Sequence, residues 1–355
     1  MTTSIFAFVI VLGILIFFHE LGHFLIARLF GVGVQTFSLG FGPRILGKKV
    51  GITDYRISAI PLGGFVKMVG EEPNAELTPE EIPLSFTHKH VLKKIFIVAA
   101  GPFFNLLLAI IIFYAIFQIS GLYIRVPSVG SVEPETPAYM AGLQAGDKIT
   151  SINNLPVESW DEMAKIISES QGNHLFFTII RNGETIRIGI TPEPKEDKNL
   201  FGENITRYVI GITSSTEVIT RKLNPFEAFS ESIIQTYQIT KLTIVSIIKL
   251  IQGTLSTKTL GGPIMIADLA GQQAREGALS LVFFTALLSI NLAILNFLPI
   301  PVLDGGHLVF FFIELVTGKP VNIKVREIAQ QAGIFILILL MVYVFYNDIT
   351  RYILN

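Results

Sequence analysis

The 355-residue sequence contains no cysteine, and only 15% of its residues are charged. The lack of cysteine excludes disulfides, iron–sulfur clusters and thiolate zinc sites, so any metal must be held by His, Asp or Glu. Soluble domains usually contain about 25% charged residues, whereas half of this chain is hydrophobic. The hydrophobic residues are concentrated in a few long stretches, which indicates an α-helical polytopic membrane protein. The sequence also lacks the basic cluster that nucleic-acid binding requires, so we expect no nucleic-acid partner.

Four apolar stretches are candidates for transmembrane helices, each of which needs about 20 apolar residues. They cover residues 5–27, 95–117, 279–303 and 333–346, the last of which can be extended at both ends. A cleaved signal peptide is the alternative for the first stretch. It would need a basic residue before the stretch, but the first basic residue is Arg28. A further apolar stretch, 308–316, is too short to cross a bilayer by itself.

Basic residues cluster in two of the loops that join these stretches. The first loop contains Arg28, Arg44, Lys48, Lys49, Arg56, Lys67, Lys89, Lys93 and Lys94, and the loop before the last stretch contains Lys319, Lys324 and Arg326. By the positive-inside rule both loops are cytoplasmic. We therefore expect both termini and the long segment 118–278 on the extracytoplasmic side.

The segment between the second and third stretches has the pattern of a soluble domain. Apolar residues alternate from Val126 to Pro192, with turn sequences at Asn153-Asn154 and Asn182-Gly183 and one helical stretch, Ser159–Ser170. The run PAYMAGLQAGDKI at 137–149 resembles the PDZ domains of bacterial envelope proteases. We predict one PDZ-like α/β domain at 123–194, and the resemblance implies that it binds peptide C-termini.

A long helix and a loop are predicted to follow, in residues 195–278. Aromatic and aliphatic residues recur at helical spacing through 224–252. This helix could lie on the outer membrane surface, pack against the PDZ-like domain or the spans, or cross the bilayer. Crossing is opposed by the polar side chains of Glu227, Glu231, Gln235, Lys241 and Lys249.

His19 and His23 are four residues apart in the first apolar stretch. On a helix this spacing directs both imidazoles to one face, where each can reach a zinc ion at about 2.0–2.1 Å. Glu20 could take a proton from a water that the metal activates. The alternative is a set of buried polar residues satisfied by neighbouring helices, but each ionisable residue within a span costs about 2.5–3.5 kcal/mol. The pattern therefore predicts a zinc site with Glu20 as general base.

The depth of this site follows from helix geometry. His19 comes 14 residues after Ile5, so it lies about 21 Å into an apolar core about 30 Å thick, near the cytoplasmic side. The third stretch runs inward and brings Asp304 to a compatible depth, with His307 three residues further toward water. Because zinc needs a third protein ligand, we expect Asp304 to supply it, with His307 as the next candidate.

The HELGH run at 19–23, the LDG run at 303–305, the four spans and the external PDZ-like domain together resemble the bacterial site-2 protease family. The match is to the branch of sigma-E-pathway regulator proteases and covers nearly the whole chain. It implies that His19, His23 and Asp304 bind Zn²⁺ and that Glu20 is the general base. The best-known members carry two tandem PDZ domains, whereas this chain has room for one, so the filter that selects substrates is in question.

The resemblance extends to residues beyond the metal site. Asn291, Asn296, Pro299 and Pro301 match the family's approach to the Asp motif, which implies that they help to hold substrate. The GPFFN run at 101–105 matches the family's Gly-Pro-x-x-Asn motif in the second span.

The first cytoplasmic loop is predicted to form a β-hairpin. Residues 37–43 and 54–65 alternate like strands, and KKVG at 48–51 would make the turn. A strand edge could hold an extended substrate through backbone hydrogen bonds. A purely structural hairpin that plugs the mouth of the cavity is the alternative.

The predicted organisation is two spans with the hairpin at 1–117, the PDZ-like domain at 123–194, the helix and loop at 195–278, and two spans at 279–355. The family resemblance implies an intramembrane zinc metalloendopeptidase of the bacterial cytoplasmic (inner) membrane. Its substrates would be single-span membrane proteins, either anti-sigma factors or remnant signal peptides. One alternative is a non-catalytic PDZ scaffold with a structural metal site, for which Glu20 would be unnecessary. Another is a carrier, which the lack of an inverted repeat disfavours.

Overall fold

The computed structural model describes residues 2–72, 76–199 and 201–353 of the chain. The chain divides into two compact units. The helical unit comprises the residues up to Ile116, Phe229–Ile248, and the residues from Ser256 onward. The β-rich unit comprises Phe117–Ala228 and Lys249–Leu255.

All strands precede the last five helices along the chain. The helices are α1 (Thr2–Leu29), α2 (Val91–Ser120), α3 (Pro137–Met140), α4 (Trp160–Ser168), α5 (Pro225–Ile251), α6 (Pro263–Glu276), α7 (Ala278–Phe297), α8 (Asp304–Thr317) and α9 (Ile323–Ile353). The strands are β1 (Val34–Val50), β2 (Thr53–Met68), β3 (Leu122–Arg125), β4 (Val129–Val132), β5 (Lys148–Ile152), β6 (Leu155–Pro156), β7 (Leu175–Arg181), β8 (Glu184–Ile190), β9 (Glu193–Lys198), β10 (Asn204–Val209), β11 (Ile212–Ser214) and β12 (Val218–Arg221).

Four helices of the described chain are long and apolar enough to cross a membrane, which confirms the four predicted spans. They are Thr3–Leu29 in α1, Val91–Ser120 in α2, Ala278–Phe297 in α7 and Ile323–Arg351 in α9. The third span ends at Phe297 rather than at Leu303 as expected. Pro299 and Pro301 have no backbone N–H group and cannot continue a helix. The apolar stretch after them belongs to the separate helix α8, which begins at Asp304.

The predicted hairpin is present as β1 and β2, but its turn is shifted. Gly51 and Ile52 form the turn, with a φ of +60° at Gly51, so Lys48-Lys49-Val50 belong to β1 and not to the turn. Glycine adopts this left-handed conformation without the steric cost of a Cβ. Residues 44–50 therefore pair with 53–58 directly around the turn.

The first part of β1 has two partners in the same sheet. Residues 36–39 lie opposite 54–57 and also opposite 64–67, so they occupy the space between these two stretches. Within the described ranges, no strand pairs with the other side of 64–67. The stretch 64–67 is therefore an edge of the sheet, with backbone groups available to a further strand.

Polar contacts join the helices of the helical unit. The apolar core of this unit includes Ala27, Val34, Phe37, Val66, Ile97 and Phe311. Lys94 of α2 donates a hydrogen bond to Glu314 of α8 at 2.6 Å, and both side chains are largely buried. Asp348 of α9 is fully buried and accepts three hydrogen bonds from backbone N–H groups at the start of α6. Because these N–H groups have no partner within their own helix, the carboxylate ties α9 to α6.

The helix predicted within 224–252 is α5. Its Phe229 ring meets the Tyr114 ring of α2 edge to face, with centroids 6.5 Å apart. Further along, Thr243 donates a hydrogen bond from Oγ1 to Oδ1 of Asn291 in α7 at 3.1 Å. Of the positions that the sequence left open, these contacts favour a helix packed against the spans.

The β-rich unit contains an antiparallel sheet in the order β6-β5-β7-β8. Both predicted turns are present, because Asn153, Asn154, Asn182 and Gly183 all have positive φ angles, as type I′ turns require. The predicted helix is α4, which begins after Ser159; the Ser159 side chain accepts a hydrogen bond from the Glu162 N–H. These strands and α4 enclose an apolar core that includes Ile149, Ile152, Met163, Phe177 and Ile179.

The β-rich unit continues past residue 194. Strand β11 pairs with β4, and β12 pairs with β3, both antiparallel. The hairpin of β9 and β10 lies between them in sequence. Strands β11 and β12 were not predicted from the sequence, because their pairing partners lie 80 or more residues away along the chain.

Candidate metal centre

The two histidines of α1 meet the first residue of α8. Nε2 of His19 lies 3.2 Å from Nε2 of His23 and 3.1 Å from Oδ2 of Asp304. Nε2 of His23 lies 3.6 Å from Oδ1 of Asp304. The structure thus brings the three predicted ligands together, with their ligand atoms all within 4.8 Å of one another.

This arrangement fits a zinc ion. Bonds of about 2.0–2.2 Å in a tetrahedral site put neighbouring ligand atoms about 3.3–3.6 Å apart, and the observed separations run from 3.1 to 3.6 Å. Oδ2 of Asp304 is buried and accepts no hydrogen bond from the described residues. A buried carboxylate oxygen without a donor is costly unless a cation neutralises it. Three protein ligands, with a fourth position for water or substrate, are typical of catalytic zinc sites.

His23 is oriented by the backbone of α2. Its Nδ1–H donates to the Ile97 carbonyl oxygen at 2.9 Å. With the proton on Nδ1, the lone pair of Nε2 points at Asp304 and His19, as metal binding requires. Pro102 lies inside α2 and has no N–H group to donate to the carbonyl of Val98, the residue after Ile97.

Two glycines allow α1 and α2 to approach at the level of the histidines. A methyl group at Gly101 would lie 2.6 Å from Cε1 of His23 and 2.8 Å from Cε1 of His19. A methyl group at Gly22 would lie 2.8 Å from the carbonyl carbon of Ala100. Ordinary van der Waals contact begins at about 3.4 Å, so only glycine fits at either position without displacing its neighbours.

Glu20 and the metal ligands line one cavity of about 610 Å³. The Glu20 side chain is 9% exposed, and its Cγ lies close to Gly64 of the sheet edge. The sheet edge contributes 64–68 to the wall, and α9 contributes Ile323, Arg326, Glu327 and Gln330. The cavity therefore brings a buried carboxylate, the metal ligands and an edge strand to the same space.

His307 also lines this cavity but is not part of the three-ligand group. Burial and, second, the positive charge of Arg326 lower its pKa below the ordinary value. A neutral imidazole at the wall of the cavity follows from both effects. Asp304 is the better candidate for the third ligand, because its carboxylate converges with His19 and His23 whereas the His307 imidazole does not belong to that group.

The four predicted substrate-binding residues lie along the end of α7 and the loop before α8. Asn291 is partly buried and accepts the hydrogen bond from Thr243, which leaves its N–H groups for another partner. Asn296 and Pro301 are partly exposed and Pro299 is exposed. None of the four is among the residues that line the 610 Å³ cavity, and their role stays a prediction.

Several residues around the site had no role predicted from the sequence. The Ile97 carbonyl and the wall residues of α9 were not identified. Gly101 and Asn105 were noted only as parts of the GPFFN motif. A polar side chain inside an otherwise apolar span was the one signal available for Asn105, since such residues are costly unless they have a partner.

Parts of the chain are similar to solved structures. The PDZ domain of an SdrC-like protein from Listeria monocytogenes matches 25% of this chain and 87% of its own length, with 24% identity and a TM-score of 0.21. The solution structure of GtR34C from Geobacillus thermodenitrificans matches 20% of this chain and 82% of its own length, with 28% identity and a TM-score of 0.19.

Curated relatives match the chain over nearly its whole length. A protein of Mesorhizobium japonicum is 36% identical, over 96% of this chain and 97% of its own. Proteins of Campylobacter jejuni and Rickettsia conorii are each 38% identical; the former match covers 97% of this chain and 93% of the relative, and the latter 98% of both. All three carry the name "Putative zinc metalloprotease". The profile of Peptidase family M50 matches residues 7–340. The chain therefore belongs to Peptidase family M50, and it is a multi-pass membrane metalloprotease.

Proposed function

We propose that this protein is an intramembrane zinc endopeptidase that cleaves single-span membrane proteins within or beside the bilayer. The observation that carries the proposal is the convergence of His19, His23 and Asp304 in one cavity with the buried carboxylate of Glu20. Zinc, when bound, activates a water molecule and polarises the scissile carbonyl.

Glu20 is the general base in this proposal. It lies next to the first ligand in sequence but is not itself one of the converging ligands, so its carboxylate is available to accept a proton. Its burial keeps competing water away and strengthens the electrostatic interactions within the cavity. A proton on Glu20 can then pass to the leaving amine.

The edge strand 64–67 is proposed to hold the substrate. A helical substrate must unwind before cleavage, which frees backbone groups that have no water partners in the membrane. The edge lines the cavity and has no strand on its other side within the described residues, so it can pair with an extended peptide. Asn291, Asn296, Pro299 and Pro301 are proposed to assist nearby, and the N–H groups of Asn291 suit substrate carbonyls.

The proposed setting is the bacterial cytoplasmic (inner) membrane, with both termini outside. The basic loops before α2 and before α9 support cytoplasmic positions for these loops. The distance of His19 from the start of α1 supports an active site near the cytoplasmic face. The β-rich unit would then lie outside and read peptide C-termini or limit substrate size. Anti-sigma factors and remnant signal peptides are the proposed substrates.

A comparison of the unmodified chain with its Glu20→Gln variant tests the proposal. Both are purified in detergent, their zinc content is measured, and both are incubated with a synthetic single-span peptide that carries helix-destabilising residues in its span. We expect equal zinc and a loss of cleavage on the order of 10²–10⁴-fold in the variant, because only the base is removed. Equal cleavage by both proteins would contradict the role of Glu20. Zinc binding without cleavage by either protein would favour a scaffold.

A further inference from the structure

Asn105 of α2 faces the first metal ligand. Its side chain is completely buried in the apolar span, and its carboxamide Nδ2 lies 3.3 Å from Nδ1 of His19. Its carboxamide oxygen, Oδ1, is buried and has no hydrogen-bond partner. A buried amide in a membrane span with an unsatisfied oxygen is expensive, so this orientation of the carboxamide calls for an explanation.

The protonation of the His19 ring determines whether Asn105 must donate or accept a hydrogen bond. Nε2 of His19 points at Asp304 and His23, so metal binding requires the lone pair on Nε2 and the proton on Nδ1. A proton on Nδ1 needs a hydrogen-bond acceptor. The amide nitrogen of Asn105 only donates, whereas its carboxamide oxygen accepts.

A half-turn of the Asn105 carboxamide exchanges its oxygen and nitrogen without moving any other atom. The oxygen then accepts from Nδ1–H of His19 at the observed 3.3 Å separation. The amide N–H groups then take the buried position at which the oxygen has no donor.

We propose that Asn105 is a positioning residue that accepts the Nδ1 proton of His19 and so holds this ligand in its zinc-binding tautomer. The proposal rests on the zinc site of the proposed function. It makes α2 the helix that orients both histidines, since the Ile97 carbonyl does the same for His23. Ile97, Gly101 and Asn105 are spaced four residues apart, so they share one face of α2.

The inference is tested by zinc affinity, measured by competition with a chelator on the full-length protein in detergent. Asn105→Leu removes the acceptor, and we expect affinity to fall on the order of 10- to 100-fold, as is typical when a partner of a metal-binding histidine is lost. Asn105→Asp restores an acceptor oxygen, and we expect it to keep zinc affinity despite its added charge. Ser289→Ala is the matched control, because Ser289 Oγ donates to the Asn105 backbone carbonyl at 2.7 Å and not to its side chain.

A merely structural Asn105 would produce a different pattern. A loss of packing alone would lower the thermal stability of Asn105→Leu and would leave zinc affinity unchanged in the folded fraction, which size-exclusion chromatography isolates. Equal zinc affinity of Asn105→Leu and the unmodified protein would overturn the inference while leaving the zinc site intact. Weaker affinity in Asn105→Asp than in Asn105→Leu would also overturn it. Failure of the unmodified protein to bind zinc would instead overturn the proposed function.

Discussion

The substitution Gly101→Ala is expected to favour the helix α2 while it disrupts the metal site. Gly101 lies inside α2, where alanine favours the helix over glycine by about 1 kcal/mol. The added methyl group, however, would lie 2.6 Å from Cε1 of His23 and 2.8 Å from Cε1 of His19. These two contacts are 0.8 Å and 0.6 Å shorter than the 3.4 Å at which ordinary contact begins, and Nε2 of His23, the metal-binding atom, would lie closer still.

Displacements of this size exceed what a zinc site tolerates. Metal–ligand distances hold to about 0.2 Å, so a shift of 0.6–0.8 Å in both rings disrupts coordination, while overpacking costs about 1–3 kcal/mol and is partly offset by the gain in helix propensity. We expect Gly101→Ala to insert and fold, but to lose zinc affinity by on the order of 100-fold or more and to lose cleavage.

Chelator competition and cleavage of the single-span peptide are the assays for this variant. Gly13→Ala is the matched control, because Gly13 lies in α1 and a methyl group there meets nothing within 4 Å. We expect the control to behave like the unmodified protein. Normal zinc affinity and cleavage in a folded Gly101→Ala variant would refute the close packing of α2 on the two histidines.

Two further substitutions test other parts of the account. Asp304→Ala is expected to lose stoichiometric zinc in elemental analysis while His307→Ala keeps it, because only Asp304 belongs to the three-ligand group; the reverse result would make His307 the third ligand. In the β-rich unit, burial alone would raise the pKa of Asp147, but hydrogen bonds from Arg181 and from the Gln144 N–H outweigh burial and hold it below the ordinary value. Asp147→Asn is therefore expected to destabilise β5 and β7 by about 2–3 kcal/mol at pH 7, measured by hydrogen–deuterium exchange. This stabilisation is present above the unfolded pKa of about 3.9 and is lost as pH falls through the lower folded pKa. The difference in stability between Asp147→Asn and the unmodified protein should therefore shrink in acid. A difference in stability that is independent of pH would show that ionisation of Asp147 is not its source.

Features set by local sequence were predictable. The spacing of His19 and His23 fixes their common face through helix geometry alone, and four apolar stretches identified the spans through their length. The turns at Asn153-Asn154 and Asn182-Gly183 follow from the tolerance of Asn and Gly for positive φ. Asp304 was within reach of sequence reasoning because the depth of a span can be counted in residues.

Features that depend on distant contacts were not predictable in the same way. The hydrogen bond of His23 joins it to a backbone carbonyl 74 residues away, and a carbonyl has no sequence signature. Residues 36–39 lie between two parts of β2, which alternation of apolar residues cannot reveal because both pairings preserve the same period. The helix α5 was compatible with three locations, and its packing against α2 and α7 rests on contacts with Tyr114 and Asn291, which are distant along the chain.

The central claim is that one zinc ion is bound by two imidazoles and one carboxylate contributed by α1 and α8. X-ray absorption at the zinc edge of the full-length Glu20→Gln protein tests it most directly, because this variant should keep the metal and not consume substrate. We expect one zinc per chain, with scattering from two imidazole rings and from oxygen at about 2.0–2.2 Å. A folded protein without zinc, or a zinc signal without imidazole scattering, would contradict it.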